Sequence, residues 1–192
     1  MTTMPSLAPE TTGFHRQFSA VKTEASEIVK GLRETQFNWR PHPQSWSMAE
    51  CLLHLNIVGD RYVHLIEKAV TDARARGLEG QSPAGYGWLG KWILANTEPP
   101  PKRKSRSARA TTPAYGQPLT AVMPTFLHLQ DQLAMQVESA AGLDWARVKV
   151  PAPMGPFRFN LHLTFAWIAA HERRHLWQAR QVLNHAEFPR VK

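Results

Sequence analysis

The chain has 192 residues, a formal charge of +8 and one cysteine, Cys51. This length allows one domain with a hydrophobic core, and a single cysteine excludes an intrachain disulfide. Because no run of about 18 apolar residues and no secretory signal stands in the sequence, a membrane span is not expected. We expect a cytoplasmic protein in which residues 1–192 form a single domain and residues 1–10 a loose tail.

Apolar residues recur at spacings of three and four in four segments, and no segment alternates convincingly between apolar and polar residues. This periodicity is typical of amphipathic helices. The sequence therefore predicts an all-α four-helix bundle. Its helices are expected at about 14–32, 48–76, 119–141 and 160–185.

The helix ends carry local signals. Ser47 and Glu50 have the spacing of a capping box before the second helix, and Gly77 supplies a stop after it. Asn160 is a good N-cap for the fourth helix. Pro124 fits the third helix only if it falls in the first turn, because proline has no backbone N–H to donate.

The connection between the second and third helices, residues 77–118, is long and irregular. Such a connection predicts a crossover that lets these two helices run parallel. Residues 88–94 (WLGKWIL) are a candidate to dock on the bundle. The basic run Lys102–Arg106 is interpreted as a solvated loop. A nucleic-acid partner is not expected, because no aromatic residues are interleaved with these charges.

The string His171-Glu172-Arg173-Arg174-His175 is the most informative motif. Its two histidines stand four residues apart, on the inward face of the predicted fourth helix. Two buried imidazoles need partners, and a divalent metal or other polar groups could supply them. Glu172 also projects inward. It could orient a ligand, act as a base or pair with an arginine.

A third metal ligand has to come from another helix. His54 is the best candidate, since it lies at the edge of the apolar face of the second helix. Cys51, one turn earlier, is interpreted as a small core residue. The remaining histidines are less favourable because they face away, stand in a connector or lie too far along the chain. They are His15, His42, His64, His128, His162 and His185.

The motif also reads as His-Glu-x-x-His, which is typical of zinc metalloproteases. Such an enzyme needs a third ligand downstream, and only seventeen residues follow His175. No strand is available to bind an extended substrate. A metalloprotease is therefore the least favoured function.

Two segments together resemble the DinB-like (YfiT-like) family of metal-binding four-helix bundles. One runs from Trp39 through Trp46-Ser47 to His54, and the other from His171 to Gln178. The resemblance implies His54, His171 and His175 as ligands of a divalent metal, zinc or nickel, and leaves the catalytic residues unknown. It covers most of the chain, with departures in the basic segment 95–110 and the proline-rich segment 148–156.

The resemblance further implies a small-molecule substrate and a transferase, or a related hydrolase, that uses a low-molecular-weight thiol. Trp46 and Trp177 are aromatic candidates near the site, although packing is their simpler role. The alternative is a non-enzymatic metal-binding or stress-related protein. A homodimer formed through an exposed helix face is compatible with that alternative.

Overall fold

The computed structural model describes residues 9–80, 85–102, 107–153 and 155–190. Within them lie six helices: α1 Pro9–Val29, α2 Glu34–Phe37, α3 Met48–Ala75, α4 Gly87–Thr97, α5 Leu119–Ser139 and α6 Leu161–Leu183. One 3-10 turn covers Arg109–Thr111. Two short strands, β1 Lys149–Pro151 and β2 Arg158–Asn160, pair antiparallel. No helix of this described part is long and apolar enough to cross a membrane.

The four long helices α1, α3, α5 and α6 form the predicted bundle. Helices α1 and α3 each pack on both α5 and α6, and so occupy opposite corners. Near the start of α3, Asn56 Nδ2 donates to the Val122 carbonyl of α5 at 2.9 Å, and near its end Arg74 donates to the Ser139 carbonyl at 2.6 Å. Helices α3 and α5 are therefore parallel, which confirms the predicted crossover.

The predicted helix ends are also confirmed. Ser47 Oγ accepts from the Glu50 amide at 3.2 Å, and the Glu50 carboxylate accepts from the Ser47 amide at 3.0 Å. Gly77 follows α3 with φ of +60°, a left-handed conformation that favours glycine. The Asn160 side chain accepts from the Leu163 amide at 2.8 Å and so caps α6.

The connection between α3 and α5 is more ordered than the sequence indicates. Helix α4 lies within it and packs on α6, so the expectation that residues 88–94 dock on the bundle is confirmed. A side chain at Gly90 would meet Tyr86 and Leu163, and glycine therefore permits the close approach of the two helices. Apart from the exposed Lys102, the basic run lies outside the described residues, as does most of the predicted tail.

Two features differ from what the sequence indicates. The connector between α5 and α6 contains two short strands, in which Val150 and Phe159 pair across β1 and β2 and bury their side chains in the core. Pro124 lies in the second turn of α5 rather than the first. It is exposed, and its missing N–H leaves just one backbone carbonyl near the helix start without its usual partner.

The core consists of two apolar clusters, and the histidines of interest stand where they meet. On α3, His54 directly precedes Leu55 of one cluster and stands one turn before Val58 of the other. On α6, His171 lies between Ile168 and Leu176, which again belong to different clusters. Polar side chains at this boundary are thus held by apolar packing on both sides.

Candidate metal centre

The fold brings His54, His171 and His175 together between α3 and α6. His171 Nε2 lies 3.3 Å from His54 Nε2 and 3.2 Å from His175 Nε2. One ligand nitrogen from each ring lies within 4.8 Å of the other two. His54 and His175 are buried, and His171 is partly exposed.

The crossover fixes the tautomer of His54. Its Nδ1 lies 2.7 Å from the backbone carbonyl of Thr111, in the 3-10 turn. A carbonyl can only accept, so Nδ1 carries the hydrogen. In the neutral ring Nε2 then has a lone pair, which points at His171.

Hydrogen bonds among the rings do not account for both short contacts. If His171 Nε2 carries a hydrogen, that one hydrogen must serve two neighbours. If it carries a lone pair, it meets the lone pair of His54. A metal ion resolves both cases, because three lone pairs can point at one cation. Two nitrogens bound to a tetrahedral zinc ion at about 2.0–2.1 Å lie about 3.3–3.4 Å apart, which agrees with both contacts.

Burial keeps the three imidazoles neutral. It lowers the pKa of His54, although the bond to Thr111 acts in the opposite direction. Burial, followed by the charges of the neighbouring histidines, places the pKa of His171 well below its usual range. Burial and then the charge of His54 lower the pKa of His175 to about 3. Neutral imidazole is the form that binds a metal.

Tryptophan rings hold the histidines in place. Trp46 stacks on His175, with ring centres 5.7 Å apart and planes 26° apart, and also touches His54. Trp167 stacks on His171 at 4.7 Å and 17°. Trp46 therefore lies at the histidine cluster, as expected from the sequence. Trp177 has no ring contact with the three histidines among the described residues, so the second tryptophan at the site is Trp167.

Glu172 does not join the histidines. Its Oε1 accepts from Gln130 Nε2 of α5 at 2.8 Å. Its Oε2 and the Gln130 Oε1 are buried without a hydrogen-bond partner among the described residues. Burial raises the pKa of Glu172 to about 8, against the opposing effect of Gln130. At neutral pH the carboxyl is therefore mostly protonated, which fits neither an arginine pair nor a metal ligand.

The other candidate ligands lie elsewhere. Cys51 is buried among apolar side chains, and burial raises the pKa of its thiol, as expected of a core cysteine. His64 and His128 are exposed, as predicted from their helix faces. His162 is buried but packs on Trp145, far along α6 from His175.

A comparison with known families agrees with this geometry. The profile of the DinB superfamily matches residues 17–179, which is most of the chain. The chain belongs to the DinB superfamily. No curated protein and no solved structure matches it at a significant level. The match covers α3 and most of α6, the two helices that carry the histidine cluster.

Two parts of this DinB-superfamily site were missed from the sequence. Trp167 stands four residues before His171, so the same spacing that pairs His171 with His175 could have identified it. The Thr111 carbonyl had no such signal. It belongs to a turn in the crossover, where no periodicity indicates which backbone group reaches a helix.

Proposed function

We propose that the chain binds one divalent metal ion, zinc or nickel, through His54, His171 and His175. The observation that carries the proposal is the pair of contacts at His171 Nε2, which neutral imidazoles cannot both satisfy with hydrogen bonds. The Thr111 bond supports it, because it leaves the lone pair of His54 free for a ligand role.

The surrounding residues suit a site that also receives a small molecule. Three protein ligands leave a position open, as catalytic zinc sites do, whereas structural sites are closed by a fourth. His171 is the least buried of the three histidines, so we expect a small molecule to approach from its side. Trp46 and Trp167 supply aromatic walls that exclude water from the rings of the ligands.

We infer on this basis a metal-dependent transferase, or related hydrolase, that uses a low-molecular-weight thiol. A bound divalent ion lowers the pKa of a coordinated thiol or water. The histidines hold the ion, Thr111 orients His54, and Trp167 fixes the plane of His171. The Glu172 carboxyl bonds to Gln130 and not to the histidines, so it takes no part in proton transfer at the metal.

Elemental analysis of the purified protein tests the binding step. About one equivalent of zinc or nickel is expected in the natural protein and in His64→Ala, which removes an exposed histidine from the same helix. His54→Ala is expected to lose most of it. Metal-free natural protein, or equal metal in both variants, would contradict the proposal.

Turnover tests the catalytic step separately. Metal-loaded protein is mixed with several small thiols and electrophiles such as epoxides or chloroarenes, and thiol consumption is followed. Activity that disappears in a folded His171→Ala variant would support the transferase. Full metal occupancy without turnover would instead favour the non-enzymatic metal-binding protein.

A further inference from the structure

Helix α4 has one packed face and one exposed apolar face. Gly90, Ile93 and Leu94 face the bundle. On the other side Trp88 is 81 % exposed, and Leu89 and Trp92 are 50 % and 60 % exposed. Large apolar side chains that are this exposed and adjacent mark a surface that binds a protein or a membrane.

The β-hairpin carries a further exposed aromatic side chain. Phe157, at its tip, is 69 % exposed. The side chain of Asn160, at the end of β2, donates to the Gly85 carbonyl at 3.0 Å, just before α4. The hairpin and α4 are thus joined where both meet the start of α6. We call Trp88, Leu89, Trp92 and Phe157 the aromatic ridge.

The segments that carry the aromatic ridge are rich in cations and contain no acids. Residues 85–97 and 145–160 contain no Asp or Glu. Their exposed charges are all positive: Lys91, Arg147, Lys149 and Arg158. Of the flanking acids, Glu98 is paired with Arg173, and Asp144 accepts from the Ala146 amide. The ridge therefore lies in a positive field, on a chain of net charge +8.

We propose that the aromatic ridge docks on the surface of an anionic lipid bilayer. Tryptophan is favoured at the boundary between headgroups and acyl chains, where its apolar ring and its N–H are both accommodated. Leu89 and Phe157 insert beside it, while Lys91 and Arg158 contact lipid phosphates. This is peripheral binding, and it requires no spanning helix.

Two other occupants fit less well. A symmetric dimer through the ridge would bring together two copies of a surface whose exposed charges are positive, and like charges across an interface are unfavourable. Platforms for single-stranded nucleic acid hold their aromatic rings in a groove that tracks the backbone. Trp88 is 81 % exposed and so is not enclosed by the walls of a groove.

Sedimentation with lipid vesicles tests the proposal. The full-length protein is mixed with vesicles of phosphatidylglycerol and phosphatidylcholine, and with vesicles of phosphatidylcholine alone. We expect binding to the anionic vesicles that weakens with salt and is much weaker without phosphatidylglycerol. Trp88→Ala with Trp92→Ala, and separately Lys91→Glu with Arg158→Glu, should each lower the partition coefficient at least about tenfold.

Met135→Ala is the matched control, because Met135 is also a largely exposed apolar residue but lies on α5, away from the ridge. The Met135→Ala variant should bind vesicles as the natural protein does. All variants should keep the melting temperature of the natural protein. Absence of binding to anionic vesicles, or equal loss in Met135→Ala, would overturn the proposal. So would a dimer, or a complex with a single-stranded oligonucleotide, that the tryptophan variant abolishes while vesicle binding persists.

Discussion

The backbone carbonyl of Thr111 accepts a hydrogen bond from His54 Nδ1 at 2.7 Å, across 57 positions of sequence. This bond joins the crossover to the histidine cluster and selects the tautomer in which His54 Nε2 has a lone pair. The Thr111 hydroxyl holds the turn in place through Ser107 Oγ at 2.9 Å and the Ala108 carbonyl at 3.2 Å. The turn is therefore part of the proposed metal site although it supplies no ligand.

Loosening this turn should weaken metal binding. Thr111→Ala removes both hydroxyl contacts and lets the carbonyl move away from His54. We expect zinc affinity to fall roughly tenfold, the lower end for partners that orient a metal ligand. Competition with a chromophoric chelator measures the change. Thr125→Ala, which removes a similar hydroxyl from an exposed position on α5, should leave the affinity unchanged. Equal affinities in both variants would show that the turn has no orienting role.

Acid should destabilise the metal-free protein through His175. The folded pKa is about 3 and the ordinary value is 6.5, so between these values the unfolded chain binds the extra proton. Stability is then complete above about pH 6.5 and falls as the pH decreases toward 3, by up to about 1.4 kcal/mol per pH unit. His175→Gln cannot take up this proton and should show a shallower decline in denaturant unfolding. An equally steep decline in the variant would contradict this account.

The contribution of Glu172 to the stability of the folded protein should have the opposite pH dependence. Its folded pKa of about 8 lies above the ordinary 4.5, so between these values the folded protein holds the extra proton. Its stabilising effect is complete below about pH 4.5 and is lost as the pH rises through 8. Glu172→Gln keeps a neutral group beside Gln130. The unfolding free energy of the variant relative to the natural protein should therefore increase with pH across this window and level off above it. A difference that does not change with pH would mean that Glu172 is already ionised in the folded state.

The helices and the histidine positions could be predicted because helical periodicity is a local property. His171 and His175 share a face with Leu176 and Ile168, and that face had to be buried. His54 stood on a similar edge of α3. Since each of these residues is fixed to its helix by spacing alone, their meeting follows once the two apolar faces pack together.

The features that escaped prediction depend on contacts between distant segments. Val150 and Phe159 form a pair across a hairpin whose strands are three residues long, too short for alternation to be visible. The docking of α4 was predicted, but the close approach of Gly90 to Leu163 was not, because no pattern within α4 specifies it. Glu172 was recognised as inward-facing, but its partner Gln130 lies on another helix. In each case the sequence shows one side of a contact, and tertiary packing selects the other.

X-ray absorption at the zinc edge tests the central claim most directly. The zinc-loaded natural protein should show imidazole nitrogens at about 2.0–2.1 Å with multiple scattering from three rings, and His54→Ala should lose the signal of one ring. A sulfur ligand at about 2.3 Å, which would indicate Cys51, or a spectrum unchanged in His54→Ala, would contradict the three-histidine site.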